Sequence, residues 1–324
     1  MSIKFYIPDY NNENPKRASF RFRATIPLKG MRPEDGVISH IEDAKKDDIV
    51  VLAKKSKPKD VHYLKERNIK CVYDICDNKW RKNVATNWVE KVIIPHNELC
   101  KHADALVTTC ESMREFIYHN TGRDSIIIND PYEYERTEPS FNFDNKITIF
   151  NFGNSKHFSR VKWKELIDKL NDNDIDFEIH CMLDRTKKYV EEYQTTEKLY
   201  LHEYDYNKQK EMMKICDLIF LPLLAQSPEQ YTDLKVKSPN RILDSIQAGK
   251  PVITNISVQS YSPFKSYVDF AYPNFDGYVR TFKELLNRKK TQIIDSLKAG
   301  QDYIEMNHSP KVVGKQWIEL ENKV

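Results

Sequence analysis

The sequence predicts an α/β protein with two Rossmann-like domains. Short apolar segments typical of buried parallel strands alternate with amphipathic helical segments along the whole chain. The alternation occurs in two blocks, which are separated by residues 131–145, a stretch rich in Pro, Glu, Tyr and Asn without an apolar period. The chain has 324 residues, which is enough for two domains of ordinary size.

The first block contains the strand signals that come before the linker. Strands are predicted at residues 3–7, 48–52, 70–77, 105–109 and 125–128. Helices are predicted at residues 60–67, 97–103 and 111–118. Since each strand signal is followed by a polar loop or a helix, parallel strands with helical crossovers are expected.

The second block repeats this alternation after the linker. Strands are predicted at residues 146–152, 177–182, 198–201, 217–223, 251–254 and 268–272. Helices are predicted at residues 161–170, 207–216, 276–287 and 309–321, together with one helix that begins near residue 239. We expect the last helix to return to the first domain.

Residues 235–255 form a loop, a helix, a tight turn and a strand by their sequence. Ser238 suits the N-cap and Pro239 the first helical position, while Gly249 suits the helix end. Unpaired N–H groups and the positive end of the helix dipole point outward at such a helix start. Lys237 and Arg241 add positive charge there, so the segment predicts an anion site.

Asp244 lies one turn into this helix, in line with Asn240 and roughly opposite the apolar face. A carboxylate in this position can accept hydrogen bonds from vicinal sugar hydroxyls while the helix start holds phosphates. From the residues alone, an ordinary capped surface helix with a solvated aspartate is the alternative interpretation.

The same segment resembles the nucleotide-sugar-binding segment of GT-B glycosyltransferases, with the pattern K-x-P-N-R followed by apolar positions, an acid and G-x-P-V. The matching residues are Lys237, Ser238, Asn240, Arg241, Asp244 and the run Gly249-Lys250-Pro251-Val252. The resemblance implies that the loop and helix start hold the donor diphosphate and that Asp244 binds the ribose. Many members carry a second acid at the start of this segment, where this chain has Val236 and Lys237.

Two further loops fit the resemblance. Gly153 and Lys156 follow the first strand of the second block, where GT-B enzymes place a glycine and basic residues near the diphosphate. Arg21 and Arg23 follow the first strand of the chain in the pattern S-F-R-x-R, which resembles the start of many GT-B enzymes. A loop after the first strand of an open sheet lies at the ligand edge, so these arginines are candidates for binding a diphosphate or an acidic acceptor. Two solvated arginines are the alternative.

Asp77 is the candidate catalytic residue. It ends the predicted strand 70–77, where open α/β sheets place chemistry, and Asp74 lies within that strand as a second candidate or a structural hydrogen-bonding group. The resembling enzymes often carry an acid at this tip, facing the acceptor. In an inverting reaction Asp77 would be the general base, and in a retaining one it would orient the acceptor or donor sugar. Asp9 and His96 complete the acceptor-side set, with a structural role as the alternative for His96.

The resemblance implies a glycosyltransferase with two domains facing across a cleft. Residues 1–138 would bind the acceptor, residues 139–308 the nucleotide sugar, and residues 309–324 would form a helix crossing back to the first domain. The enzyme would move a sugar from a nucleotide diphosphate sugar to a glycan, a lipid-linked glycan or a small molecule. It would need no cofactor beyond this donor and no metal, because Lys and Arg side chains supply the charge that stabilises the leaving diphosphate.

His96 and His102 are six residues apart without a third ligand spaced with them, so no metal site is predicted.

Three alternatives remain open from the sequence. In the first, the enzyme is still a glycosyltransferase but its acceptor is a modified base of viral DNA, for which residues 54–59 and 288–290 supply basic stretches. In the second, the protein is a nucleotide-sugar epimerase with the same two-domain plan. In the third, it is a non-catalytic nucleotide-sugar-binding module, and Val236-Lys237 marks the loss of an acid.

The composition of the chain narrows the possible functional classes of the protein further. The formal charge of +3 does not by itself indicate a nucleic-acid partner, and 8 glycines without a G-x-G-x-x-G run argue against a dinucleotide-binding dehydrogenase. None of the 6 cysteines forms a C-x-x-C pair, and we find no apolar run long enough for a membrane span and no signal peptide. We therefore expect a cytoplasmic protein without a transmembrane segment.

Overall fold

The computed structural model describes residues 1–8, 18–80, 86–184, 186, 189, 192–193 and 196–324. The chain divides into two compact units. The first unit comprises Met1–Glu133, Lys235–Asn240 and Glu305–Val324, and the second comprises Tyr134–Leu234 and Arg241–Ile304. Each unit contains one six-stranded sheet, and every described strand pair in both sheets is parallel.

The sheet of the first unit has the strand order β2-β1-β3-β4-β5-β6. Its strands are β1 Ser2–Tyr6, β2 Gly36–Ile38, β3 Asp48–Leu52, β4 Lys70–Ile75, β5 Ala105–Thr108 and β6 Ile126–Ile127. The chain leaves β1 toward β2 on one side and leaves β3 toward β4 on the other. The strand order therefore reverses between β1 and β3, and in open α/β sheets such a reversal opens a crevice at the carboxyl ends of the strands.

The sheet of the second unit has the strand order β12-β11-β10-β7-β8-β9. Its strands are β7 Ile147–Gly153, β8 Phe177–Leu183, β9 Leu199–Glu203, β10 Leu218–Leu221, β11 Val252–Asn255 and β12 Asp269–Ala271. Here the chain leaves β7 toward β8 and leaves β10 toward β11, so the reversal lies between β7 and β10.

Helices provide the crossovers between the parallel strands. In chain order the described α-helices are α1 Ala18–Phe20, α2 Pro58–Glu66, α3 Thr86–Trp88, α4 Ile94–His102, α5 Glu111–Thr121, α6 Ser155–Phe158, α7 Trp163–Asn171, α8 Tyr206–Ile215, α9 Pro228–Lys235, α10 Asn240–Gln247, α11 Phe275–Leu286, α12 Lys290–His308 and α13 Pro310–Glu319. Short 3-10 helices occur at Pro27–Gly30, Ile41–Asp43, Gln259–Phe264 and Leu320–Asn322, and π-helical turns at Arg21–Thr25 and Val89–Ile93. None of the helices in the described ranges is both long and apolar enough to cross a bilayer.

The C-terminal helix α13 is part of the core of the first unit. Trp317 is buried and packs edge-on against Phe5 of β1, with ring centroids 5.0 Å apart. Gly314 lies against Gly30, and a Cβ added at Gly314 would be 2.6 Å from the carbonyl carbon of Gly30. Glycine is therefore required at position 314 for the close approach of the two backbones.

Aromatic packing fills the core of the second unit. Trp163 at the start of α7 is fully buried and stacks on Phe158, with centroids 5.1 Å apart. Phe220 of β10 packs edge-on against Tyr278 of α11 at 5.0 Å. The second contact holds α11 on β10, one of the two strands between which the strand order reverses.

Of the twelve described strands, only β2 was not predicted from the sequence. Helix α10 begins at Asn240, one residue after the predicted start. The loop Lys235–Asn240 groups with the first unit, although the sequence placed it in the second domain. Val236 accounts for this grouping, because its side chain is buried in the apolar cluster of the first unit.

Candidate functional site

A pocket lies in the second unit where the strand order reverses. It is at the carboxyl ends of β7 and β10, the position at which open α/β sheets bind ligands. Its polar lining residues are Asn151, Asn154, His157 and Arg241, with Gly153 and Leu223 beside them. The aromatic residues Phe158 and Trp163 form part of its wall.

Gly153 and Arg241 are packed against each other in this pocket. Gly153 ends β7 with φ of +139°, a conformation that residues with side chains rarely adopt. A Cβ there would lie 2.9 Å from Nη1 of Arg241. The absence of a side chain at Gly153 thus leaves room for the guanidinium beside the end of the strand.

The Arg241 guanidinium retains a donor for a ligand. Nη1 donates to the carbonyl of Phe152 at 2.9 Å. Nη2 is shielded from solvent and makes no hydrogen bond of normal geometry within the described part of the chain. Arg241 also interacts with the buried hydroxyl of Tyr261, which likewise has no hydrogen-bond partner of normal geometry in the described part of the chain. A buried charged donor gains most from an anionic acceptor, so this atom favours binding of an anion in the pocket.

The loop after β7 is held by side-chain hydrogen bonds. Asn151 donates from Nδ2 to the carbonyl of Phe220 at 2.7 Å, which links the ends of β7 and β10. The Asn154 side chain accepts the Lys156 N–H at 2.8 Å and caps the short helix α6. These bonds orient the loop while the Lys156 side chain remains exposed.

The start of α10 is capped as the sequence predicts. Oγ of Ser238 accepts the Asn240 N–H at 3.3 Å. The same hydroxyl donates to the buried carboxylate of Asp130, and Ser112 donates to the carbonyl of Lys235 at 3.0 Å. The loop that contains Lys237 is therefore fastened to the first unit.

Asp244 is buried, with 4% of its surface exposed, so the alternative interpretation of a solvated aspartate is wrong. Residues 242–247 of α10 are all buried, so this part of the helix has no solvated face. Oδ1 of Asp244 accepts the Tyr134 N–H at 3.4 Å. Its role toward a ribose stays a prediction.

Asp77 lies at the carboxyl edge of the first sheet, two residues beyond β4. Its side chain is 48% exposed and forms an ion pair with Lys54, which follows β3. Strands β3 and β4 are neighbours, and β3 borders the strand-order reversal of this sheet. The geometry thus gives Asp77 an accessible carboxylate at the edge where such sheets hold ligands.

Arg23 is buried and paired with two carboxylates of the first unit, so it is neither a solvated arginine nor open to a diphosphate or an acidic acceptor as expected. It lies in the π-helical turn Arg21–Thr25 and is 3% exposed. Nη2 donates to Asp74 at 2.9 Å, and Nη1 donates to Asp130 at 3.0 Å and to the carbonyl of Ile128 at 2.7 Å. Burial acts to lower the pKa of the guanidinium, but the two carboxylates outweigh it and raise the pKa.

The surroundings of Asp74, the partner of Arg23, indicate a structural role for this residue. It lies within β4 and is 3% exposed. Its carboxylate accepts hydrogen bonds from Nε of Arg23 at 3.1 Å and from Nη2 of Arg23 at 2.9 Å. Arg21 is also paired, because Nε and Nη2 bind the two carboxylate oxygens of Glu133 at 2.7 and 3.1 Å. Its side chain remains 13% exposed.

His96 is buried, and its contacts indicate a structural role. Nδ1 lies 2.8 Å from the hydroxyl of Tyr73, and the ring packs against Trp80 with centroids 4.2 Å apart. Burial lowers the pKa of His96 to about 3, so the imidazole is neutral at physiological pH. Asp9, the remaining acceptor-side candidate, lies outside the described residues.

The pKa of His96 predicts an acid-sensitive first unit. An unfolded histidine titrates near pH 6.5, so between about pH 3 and 6.5 the unfolded state binds one proton more than the folded state. The free energy of unfolding therefore falls as the pH drops through this window, by about 1.4 kcal/mol per pH unit. We expect His96→Asn to show a shallower decline than the wild type in urea unfolding between about pH 7 and 4.5. Equal slopes would contradict this account.

No protein-family model matches the sequence, and no curated protein matches it. Solved structures do match it. HepE of Anabaena, in complex with UDP-glucose, has a TM-score of 0.71 and 12% identity over 100% of both chains. A glycosyltransferase from Rickettsia africae has a TM-score of 0.65 and 13% identity, covering 99% of this chain and 98% of its own.

TarM gives a TM-score of 0.64 at 13% identity, over 86% of this chain. The match spans 55% of the length of TarM. At these identities the likenesses show the fold alone. They confirm the predicted fold class, with Rossmann-like α/β units of the GT-B kind.

Proposed function

We propose that this protein is a glycosyltransferase that transfers a sugar from a nucleoside diphosphate sugar to an acceptor. The observation that carries the proposal is the pocket between β7 and β10, where the buried Nη2 of Arg241 lacks an acceptor next to Gly153. A diphosphate supplies the anionic oxygens that this donor requires. The fold supports the proposal, because HepE of Anabaena has a similar fold and its structure was solved in complex with UDP-glucose.

The donor-side residues would act on the leaving group. As the bond between sugar and diphosphate breaks, negative charge accumulates on the diphosphate, and fixed cations and N–H groups stabilise it. Arg241 would bind it directly, with Lys156 and the backbone at Gly153 nearby in the same unit. Lys237, Ser238 and Asn240 would add to this site through the start of α10, and Asp244 would bind the ribose.

The acceptor side of the proposal rests on Asp77. Its exposed carboxylate at the carboxyl edge of the first sheet would take the proton of an acceptor hydroxyl in an inverting transfer. In a retaining transfer, Asp77 would instead orient the acceptor.

The acceptor in this proposal is a glycan, a lipid-linked glycan or a small molecule, handled in the cytoplasm. The basic stretches that would favour a DNA acceptor are partly engaged within the chain. Lys54 pairs with Asp77, and Arg288 pairs with Asp269. We therefore do not extend the proposal to nucleic acid.

Transfer is expected to survive removal of divalent cations. In the proposed mechanism Arg241, Lys156 and Lys237 supply the positive charge that a metal would otherwise provide to the leaving group. We expect initial rates in EDTA close to those without it, measured well below the melting temperature. Loss of turnover in EDTA that Mg²⁺ or Mn²⁺ restores would contradict the proposed mechanism.

A thermal-shift screen tests the proposal. The protein is heated with a panel of nucleoside diphosphates and nucleotide sugars, with UDP and UDP-glucose first. We expect at least one nucleoside diphosphate to raise the melting temperature, and the corresponding nucleotide sugar to be hydrolysed slowly without acceptor. Conversion of the nucleotide sugar to an isomer would instead indicate an epimerase, and binding without any turnover would indicate a binding module.

A further inference from the structure

Two histidines and a glutamate meet on the surface of the first unit, where α2 packs beside α4. Glu98 and His102 lie one turn apart on α4, and His62 projects from α2. One oxygen or nitrogen atom from each side chain lies within 4.8 Å of the other two. The rings of His62 and His102 are in contact, with centroids 5.0 Å apart, and Nε2 of His102 lies 3.2 Å from Oε2 of Glu98.

We propose that His62, Glu98 and His102 form a binding site for a divalent transition-metal ion, with Zn²⁺ as the best fit. Two imidazoles and one carboxylate are a common ligand set for zinc, whereas Mg²⁺ and Ca²⁺ prefer oxygen ligands alone. Bonds of about 2.0–2.2 Å in tetrahedral geometry place ligand atoms about 3.3 Å apart. The three ligand atoms now lie within 4.8 Å of one another, so small side-chain rotations would bring them to this separation.

The surroundings permit this closure. His62 is exposed, and Glu98 and His102 are half-buried, so their side chains can rotate without disturbing the core. Solvent access at His62 allows a water molecule to complete four-coordination. The opposite side of α4 carries His96, Leu99 and Cys100, which are buried, so the backbone that presents the ligands is held in place.

The cluster is remote from the edge that carries Asp77. Helix α4 ends at His102, and Asp104 just beyond it bonds to the backbone of Cys71 near the amino end of β4. Asp77 follows the carboxyl end of the same strand. A metal at the cluster therefore links α2 to α4 and stabilises the first unit, and it takes no part in the proposed transfer. The proposed metal site and the proposed sugar transfer are therefore independent, and evidence against one does not count against the other.

Zinc binding to the metal-free protein tests the inference. After chelation and removal of the chelator, ZnCl₂ is titrated calorimetrically into the wild type, and MgCl₂ is titrated as a comparison. We expect one Zn²⁺ per chain and no Mg²⁺ binding. We also expect Zn²⁺ to raise the melting temperature of the wild type, because it binds only the folded arrangement of the three ligands.

Variants separate this site from general binding to surface histidines. His62→Asn and His102→Asn should each weaken Zn²⁺ binding at least tenfold, and Glu98→Gln should weaken it as well. His119→Asn is the matched control, because it removes an exposed histidine from α5 and should leave zinc affinity unchanged. His62 is exposed, so His62→Asn should fold like the wild type. The inference is overturned if the wild type binds no Zn²⁺ at micromolar concentration, or if His62→Asn and His102→Asn bind it as tightly as the wild type.

Discussion

Asp77→Asn is expected to slow sugar transfer by about 10²–10⁴-fold while leaving the fold and donor binding close to wild type. The substitution keeps the shape of the side chain and removes its basic oxygen. Asp77 is 48% exposed and its ion pair with Lys54 lies at the surface, so little stability depends on it. The measurements are the initial rate of transfer, the melting temperature and the affinity for the donor.

Two companion variants sharpen this prediction. Asp47→Asn changes an exposed aspartate just before β3, at the opposite edge of the same sheet, and should transfer sugar at the wild-type rate. Asp74→Asn should lower stability, because it weakens the buried pair with Arg23. If Asp77→Asn transfers sugar normally and Asp74→Asn is folded but inactive, the two roles are reversed. If both transfer sugar normally, the acceptor-side chemistry lies elsewhere.

Arg23→Met is expected to lower the free energy of unfolding by about 3–5 kcal/mol. The guanidinium is 3% exposed and pairs with Asp74 and Asp130, so its removal leaves two buried carboxylates without their cation. Asp130 also accepts the hydroxyl of Ser238, so the loop before α10 should loosen as well. Denaturant unfolding measures the stability, and hydrogen exchange of the loop measures the second effect.

Arg23→Lys and Arg114→Met serve as the comparisons. Lysine keeps the charge but loses the planar fork that binds Asp74 and Asp130 together, so an intermediate loss is expected, and this variant keeps the test measurable if Arg23→Met does not fold. Arg114 pairs with Asp124 at 2.8 Å on the surface, and Arg114→Met should change stability little. Equal unfolding midpoints for Arg23→Met and the wild type would refute the structural role.

The strands were predictable because buried parallel strands leave a direct signal in the sequence. β3, for instance, is Asp-Ile-Val-Val-Leu and is buried at every position. β2 has only three residues, Gly36–Ile38, and such a short segment cannot be distinguished from a loop by its pattern. The cap of α10 was predictable from Ser238 and Pro239 because capping is local chemistry.

Features that depend on distant residues were not predictable. Arg23 follows a first strand as a ligand-edge arginine would, yet its partners Asp74 and Asp130 are 51 and 107 positions away. Asp244 is buried because surrounding residues cover the polar side of α10, and the spacing of apolar residues within one helix does not report this. The His62 cluster combines residues of two helices, whereas spacing along one segment offered only His96 and His102.

Calorimetric titration of a nucleoside diphosphate into the wild type and into Arg241→Ala tests the central claim most directly. The ligand is the member of the panel that stabilises the wild type most. We expect Arg241→Ala to weaken binding by about 1.5–3 kcal/mol, or roughly 10–150-fold, because Nη2 loses a charge-assisted bond to the diphosphate. Lys237→Ala should have an effect of similar size. Arg280→Ala, which removes an exposed arginine of α11 in the same unit, should bind as the wild type does. Unchanged affinity in both Arg241→Ala and Lys237→Ala, or a wild type that binds no nucleoside diphosphate, would contradict the account.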